Sequence, residues 1–392
     1  MESRFNISED LYTAMHKCIR CGQCVYGNED ARFSVLCPMQ IKAKYFTYSA
    51  GGIMQIARAI YEGKMGFSEP LRDLLFHCTT CGACEINCGV IGSQVDLFTL
   101  LKRELAKNGI PLLEPHKSIV ENVLSKKNIY EGNLPGRTDW LSDEEKESMS
   151  SNPEVFYHVG CISSYMEKEI PNAFVSVLTK LEIPFAINND EWCCGAPLYF
   201  AGYEEETYDL AKHNVEAIEK SGASKVVFTC PTCAMIFKNY YPRWVKRPIK
   251  FEILHATEFF ERLQDKGKLK LGPIGTRKTV TYHDPCHLGR GQGVYDAPRR
   301  ILNAIEDLDF KEFSLSRENS LCCGGGGLVP TGFPDFADDL ARIRVSDMKN
   351  MGADLLVTAC PACKENMKIA VKKLKRGAKV SDITELIDQA LQ

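Results

Sequence analysis

Ten of the eighteen cysteines in this 392-residue chain occur in two copies of one five-sulfur pattern. The first copy is Cys161, the pair Cys193–Cys194 before Gly195, then Cys230 and Cys233 in CPTC. The second is Cys286, the pair Cys322–Cys323 before Gly324, then Cys360 and Cys363 in CPAC. Five thiolates are one more than a tetrahedral zinc site uses. Soft sulfur in that number selects iron–sulfur chemistry or a reactive dithiol over a hard-ion site. The pattern points to redox work.

The other eight cysteines form two clusters nearer the N-terminus. Cys18, Cys21 and Cys24 lie in CIRCGQC, and Cys37 follows in a Cys-Pro dipeptide. Cys78, Cys81, Cys84 and Cys88 lie in CTTCGACEINCG. Two-residue gaps between three successive cysteines let one loop supply three corners of an iron–sulfur cube. The runs resemble two-cluster ferredoxins, where the fourth ligand comes from the other motif. That resemblance assigns Cys18, Cys21, Cys24 and Cys88 to one 4Fe–4S cluster, and Cys78, Cys81, Cys84 and Cys37 to the other. Zinc ribbons use pairs of cysteines and fit repeated triples poorly. The chain departs from bacterial ferredoxins in two ways. Twelve residues separate Cys24 from Cys37, where those proteins have three, and Cys88 precedes Gly89 instead of proline.

The rest of the chain must position these sulfurs. At 44% hydrophobic it can bury the cores of two or three domains. A net charge of −3 with dispersed basic residues leaves no nucleic-acid footprint. No apolar run reaches the roughly eighteen residues that suggest a membrane-spanning helix. The segment MESRFNISEDLYTAM is acidic and interrupted, unlike a secretion signal. These features point to the cytoplasm, with any membrane association made through a partner protein. Thiols stay reduced there, so the cysteines read as metal ligands.

Residues 1–130 read as a helical domain. Ile53, Ile56, Ala57 and Ile60 recur at helical spacing, as do Leu97, Leu100, Leu101 and Leu105 before Gly109 and Pro111 stop the helix. Ser118 to Leu124 suggests a further turn or short helix. Residues 131–152, rich in Gly, Pro, Ser and acidic side chains, read as a linker.

A duplication follows. EVFYHVGC (154–161) aligns with TVTYHDPC (279–286), EWCCGAPLYFAG with SLCCGGGGLVPTG, and GASKVVFTCPTC with GADLLVTACPAC. The offset between copies is 125 at the first cysteine and 130 at the fourth, so few insertions separate them. Domains of 153–275 and 276–392 result. In each, short β-branched runs alternate with helical stretches such as PNAFVSVLTKL, the signature of a parallel α/β sheet. The expected fold is an all-helical domain followed by two tandem α/β parallel-sheet domains packed face to face. Cys161, Cys230, Cys286 and Cys360 each lie just past a predicted strand, where open α/β sheets gather ligands.

With these motifs in place the chain resembles the cysteine–cysteine–glycine (CCG) repeat proteins of the heterodisulfide reductase family. The resemblance is to the fused, D-type member, which joins a two-cluster ferredoxin domain to a duplicated C…CCG…CPxC pattern. It implies two cubane 4Fe–4S clusters on the N-terminal cysteines. It also implies a noncubane 4Fe–4S cluster on each complete five-cysteine set, the two splitting a disulfide between them. Cys193, Cys194, Cys322 and Cys323 then belong to the catalytic centre, and the duplication suggests that the two sheet edges face each other across a pseudo-twofold crevice. The resemblance implies one component of an oxidoreductase complex of anaerobic metabolism, with redox partners carrying flavin or iron–sulfur groups. Several relatives instead relay electrons between a flavin-containing dehydrogenase or acyl-CoA partner and another acceptor.

Three histidines flank cluster cysteines: His158, His283 and His287. An imidazole can deliver a proton to a leaving thiolate, or it can hydrogen-bond cluster sulfur. His77 sits beside Cys78. Asp284, Arg290 and Lys364 can tune potential by charge and hydrogen bonding. The run Gly324–Gly327 lacks the strand and ribose-binding acid of a dinucleotide fingerprint, and reads as a place of close backbone approach to a cluster or substrate.

Two functions fit the sequence: a heterodisulfide reductase-like protein that reduces a disulfide or similar substrate, and an electron relay with no small-molecule substrate. Both require a full cofactor load. Anaerobically purified protein is expected to carry about sixteen iron atoms per chain, assayed by iron and acid-labile sulfide content; stoichiometric zinc without iron contradicts it. Cys88→Ser is expected to perturb the cluster on Cys18, Cys21 and Cys24 in electron paramagnetic resonance spectra. Selective loss of the cluster on Cys78, Cys81 and Cys84 overturns the crossed pairing.

Overall fold

Parallel strands buried on both faces are built from near-continuous apolar runs, and the runs VFYH, KVVF and LLVT all become strands of that kind. The computed structural model describes residues 9–31, 33–90, 92, 94–132, 134–374 and 377–392. Its strands are β1 (Val155–His158), β2 (Phe185–Ala186), β3 (Lys225–Phe228), β4 (Glu252–His255), β5 (Lys278–Tyr282), β6 (Leu308–Lys311), β7 (Leu355–Thr358) and β8 (Lys379–Asp382). They form two four-stranded sheets, ordered β2-β1-β3-β4 and β6-β5-β7-β8, with every pairing parallel. The same strand order in both halves is the structural form of the duplication.

Successive strand residues point to opposite faces, and this alternation divides the core. Val155, Tyr157, Val227, Val280, Tyr282, Leu355 and Val357 belong to one apolar cluster that both sheets share. Phe156, Val226 and Phe228 turn the other way into the first repeat's own core, and Leu356 into the second's. Helix Glu169–Lys180 packs against Ile383–Ala390, where Ser176 hydrogen-bonds Asp388 at 2.6 Å. Buried Lys364 adds an ionic tie, pairing with Glu167 of the first repeat at 2.9 Å and Glu385 of the second at 2.6 Å.

Seven α-helices from Glu9–Lys17 to Glu114–Lys126 make up the described N-terminal region. Ser49 caps Ala50–Tyr61 by accepting from Gly52 N–H at 3.1 Å. Ile53, Ala57 and Ile60 are buried as the periodicity requires, whereas Ile56 is half-buried at the edge of that core. Leu97, Leu100, Leu101 and Leu105 all reach the core from Gln94–Lys107. Ser118 to Leu124 proves to be the middle of the thirteen-residue helix Glu114–Lys126.

The expected linker needs correction. Residues 135–147 form a 3-10 turn, Pro135–Thr138, and a short helix, Asp143–Glu147, and Trp140 and Leu141 enter the shared core. Within this stretch Arg137 is fully buried and pairs with buried Glu191 at 2.7 Å. Glu191 also accepts from the N–H groups of Val159 at 2.7 Å and Gly160 at 2.9 Å. The pair thus pins the loop that presents Cys161. In the second repeat Arg299 grips Asp284 with two bonds of 2.7 and 2.8 Å, and Asp284 accepts from Arg317 N–H at 2.8 Å. Each repeat therefore fixes its first cysteine loop with a buried arginine–carboxylate pair. Removing one partner of such a pair strands a buried charge, so Arg137→Ala is expected to cost about 3–5 kcal/mol. Anaerobic denaturant titration checks this; a loss below about 1 kcal/mol, the range of an exposed pair, contradicts it.

Candidate functional site

In both sheets the first and third strands lie side by side, and the chain leaves them in opposite directions to reach the second and fourth. The crevice beyond their carboxyl ends is the topological switch point, where open α/β sheets bind ligands. Cys161 follows β1 and Cys230 follows β3; Cys286 follows β5 and Cys360 follows β7. Cys230 caps helix Pro231–Asn239 and Cys360 caps Pro361–Lys373, each with proline at the first helical position. Cys233 and Cys363 fall in the first turns of those helices. A helix N-terminus favours the thiolate that binds metal.

The cysteines of each set are neighbours in the same sequence. Cys161 meets Cys193, Cys193 meets Cys194, Cys194 meets Cys233, and Cys233 meets Cys230. In the second set Cys286 meets Cys322, Cys322 meets Cys323, Cys323 meets Cys363 at 3.1 Å, and Cys363 meets Cys360. Hydrogen bonds from Cys193 and Cys233 pull Cys194 down to about 6, and those from Cys322 and Cys363 pull Cys323 well down. Asn214 donates to the Cys193 carbonyl at 3.3 Å and Asn366 to that of Cys323 at 2.6 Å.

The surroundings of the two sets differ. Cys322 also touches Cys81 of the N-terminal region. The glycine run makes this possible. A Cβ on Gly326 would lie 2.7 Å from the Thr79 carbonyl oxygen, and one on Gly327 would overlap that of Cys78. Gly326–Gly327 is therefore a backbone-to-backbone seam against the loop carrying Cys78 and Cys81, while Gly324 and Gly325 press on Ala337 and Ala362 within the second repeat.

The N-terminal cysteines gather in two groups. Cys18, Cys21, Cys24 and Cys88 line one small cavity, and Gly51 N–H donates to Cys24 Sγ at 3.3 Å. Burial pushes the Cys37 thiol up, with Cys81 and Cys78 close enough to add to the shift. Burial also pushes Cys84 well up, with Cys78, Cys81 and Cys37 among its neighbours. Two cations flank this second group. Lys102 is buried, donates to the Phe200 carbonyl at 3.1 Å and lies close enough to Cys78 to oppose the burial that raises that thiol to about 11. Half-buried Arg290 donates to the carbonyls of Cys81, Glu318 and Ser320 at 2.7 to 2.9 Å. Among the described residues neither has a carboxylate partner.

A cavity of about 500 Å³ opens on the first set. All five of its cysteines line the wall, opposite Gly325–Leu328, Pro361 and Ala362 of the second repeat. None of the second set's cysteines lines it. His287 does, with its ring nitrogens on Thr232 at 2.9 Å and the Thr80 carbonyl at 3.0 Å. Cys286, His287, Cys81 and Arg290 line a separate cavity on the N-terminal side.

His158 and His283 do not line the cavity, which corrects their expected role as proton donors to a bound substrate. Burial pushes them down to about 4 and about 3, so both are neutral at pH 7. His158 packs against Phe228 and Phe237. Neither ring nitrogen of His283 has a hydrogen-bond partner among the described residues, and the ring converges with Cys323 and Cys363. His77 stacks on Phe333 and bonds the Asp73 carbonyl at 2.7 Å, a packing position.

These features fit iron–sulfur clusters. Buried thiols converge without a disulfide, two cations stand beside sulfur with no carboxylate to neutralise them, and an orphaned imidazole faces the second set. Sequence reasoning missed Arg137, Glu191, Asn214, Asn366 and Lys102. Apart from the pairing of polar types, nothing in their local sequence marks them.

Comparison with known proteins agrees with this geometry. The family model of the cysteine-rich domain matches residues 155–238 and 280–368, and that of the 4Fe–4S dicluster domain matches 14–90. The D-type subunit of the dihydromethanophenazine:CoB–CoM heterodisulfide reductase of Methanosarcina barkeri is 34% identical over 98% of this chain and 96% of its own. A component of the fumarate reductase (CoM/CoB) of Methanothermobacter marburgensis is 32% identical over 81% of this chain and 61% of its own. A hypothetical protein from Helicobacter pylori shares the fold, with a TM-score of 0.56 at 11% identity over 98% of this chain and 73% of its own. The converging sulfurs, the dicluster motif and the full-length likeness lead to one conclusion: the chain belongs to the D-type family of heterodisulfide reductase subunits, as an iron–sulfur electron-transfer protein.

Proposed function

We propose that this chain reduces a disulfide, or a similar two-electron acceptor, in the cavity beside Cys161, Cys193, Cys194, Cys230 and Cys233. The observation that carries the reading is that this one cavity exposes a complete five-sulfur set while the second set sits between it and the N-terminal sulfurs. Bound iron–sulfur clusters would supply one-electron storage at each group of cysteines: two cubane clusters on Cys18, Cys21, Cys24, Cys88 and on Cys37, Cys78, Cys81, Cys84, and noncubane clusters on the two five-cysteine sets.

The protein's own residues set the order of those groups. Cys21 is exposed and Ile19 beside it is 73% exposed, so the first group faces outward, where a reduced flavin- or iron–sulfur-containing partner can dock. Cys81 touches Cys322, which joins the second group to the second set. The second set lies behind the Gly325–Leu328 wall of the cavity. Lys102 and Arg290 stabilise negative charge on the sulfurs of Cys78 and Cys81, where electrons would otherwise be disfavoured by burial. Breaking one S–S bond takes two electrons and two protons and leaves two thiols. The electrons come from the redox partner. His287, on the cavity wall, orders that wall through Thr232 and the Thr80 carbonyl.

The relay reading draws its support from the burial of the second set away from the cavity, which suits a carrier as well as a reaction centre. Turnover separates the two. Cys193→Ser in the holoprotein is expected to abolish disulfide-dependent oxidation of a reduced dye while the N-terminal clusters still reduce, followed spectroscopically. No disulfide turnover in the native protein leaves only the relay, and undiminished turnover in the variant removes the reaction from the first cysteine set.

A further inference from the structure

Arg344, in helix Pro334–Asn350, is fully buried but poorly paired. Its Nη1 donates to the Leu315 carbonyl at 3.4 Å and lies 3.6 Å from the half-exposed Asp347 carboxylate. Nε and Nη2 have no hydrogen-bond partner among the described residues. The guanidinium stands 3.7 Å from the centre of the Phe313 ring. Burial pulls it down to about 10, which leaves it cationic at pH 7. A buried charge with so few partners is costly unless a negative group faces it. Cys323 is close enough to act on this cation, and the cation in turn acts on His283.

His283 is the other unsatisfied group beside the second set. Both ring nitrogens are buried without a partner among the described residues, and its ligand atom lies within 4.8 Å of Cys323 Sγ and Cys363 Sγ. The first repeat has no such pair. At the offset of 130 that carries Cys230 to Cys360, Arg344 corresponds to Asn214, a neutral side chain that donates to the Trp192 and Cys193 carbonyls. His158, the counterpart of His283, has Nε2 3.6 Å from Glu191, whose charge Arg137 balances at 2.7 Å.

Iron in a bound cluster cancels part of the charge of five thiolates. It does so alike in two sets of equal sulfur content, so it does not distinguish them. Each electron taken up then adds one negative charge to a buried group. A cation beside the set favours that uptake, and an N–H directed at cluster sulfur favours it further.

We propose that Arg344 and His283 are positioning residues for the second set, the guanidinium supplying its counter-charge and the imidazole donating an N–H to a sulfur of the bound cluster, so that the set accepts an electron more readily than its sulfurs alone allow. This goes beyond the reductase reading and holds for a relay as well, resting only on a cluster at the second set.

Pulsed electron paramagnetic resonance and redox titration of the anaerobic holoprotein test it. The signal lost in Cys323→Ser marks the second set. In the native protein that signal is expected to carry a weak histidine-nitrogen coupling that changes on isotopic labelling of histidine, disappears in His283→Asn and persists in His158→Asn. Arg344→Gln is expected to lower the midpoint potential of the same signal by at least about 59 mV, a ten-fold change in a one-electron equilibrium. Arg344→Lys keeps the charge and is expected to restore most of that loss. The proposal is overturned by no histidine coupling in the native protein, by coupling of the strength of an iron-bound nitrogen, by an unchanged potential in Arg344→Gln, or by an equal fall in Arg344→Lys. The labelled native protein decides the imidazole contact even where a variant fails to assemble. If Cys323→Ser removes no signal, the reading that the second set holds a cluster falls together with the inference; a signal without the coupling sinks the inference alone.

Discussion

The whole arrangement depends on one close approach of backbone to backbone. Gly326 and Gly327 lie against the carbonyls of Thr79 and Cys78 so tightly that neither position has room for a Cβ. Gly327 also has φ +65°, a conformation that other residues adopt at a cost. This seam brings Cys81 against Cys322 and ties the helical N-terminal region to the second repeat. The same loop, carried on to Leu328, forms the far wall of the cavity on the first repeat. A side chain at the seam would displace both at once.

The two repeats share sequence motifs and strand order, yet the fold gives them different surroundings. All five cysteines of the first set open on an apolar cavity; of the second only Cys286 reaches a cavity, a separate one shared with Cys81 of the N-terminal loop. The clamps differ as well. Glu191 holds the loop of the first set through an arginine from outside the repeat, whereas Asp284 holds the second with Arg299 from within it. Duplication supplied two equivalent sulfur sites, and the added N-terminal region made them inequivalent. One adjoins the N-terminal sulfurs and the other opens on the cavity.

Much of this could be read from the chain before folding. The doubled C…CCG…CPxC pattern marked all ten repeat cysteines, and the β-branched runs marked the strands that carry Cys161, Cys230, Cys286 and Cys360. The glycine run was legible as a close approach, though its neighbour was not. What escaped notice depends on distance in space. Arg137 lies in a stretch whose Gly, Pro and acidic content suggests a linker, and local composition cannot reveal that its side chain crosses to Glu191, 54 residues on. His158 and His283 appeared equivalent to His287 because all three neighbour cysteines in sequence. Only His287 reaches the cavity, because it follows Cys286 in the loop while the other two stand at the buried strand ends. The difference between the two sets was invisible for the same reason: their motifs are alike, and their neighbours belong to other parts of the chain.

The central claim is that the seam at Gly326–Gly327 is the electrical joint between the N-terminal sulfurs and the reaction cavity. Rapid-freeze electron paramagnetic resonance of Gly327→Ala holoprotein, mixed with a reduced donor and then with disulfide, tests it most directly. The account predicts normal reduction of the N-terminal clusters, followed by sharply slowed reoxidation by disulfide. Reoxidation at the native rate in that variant would contradict it.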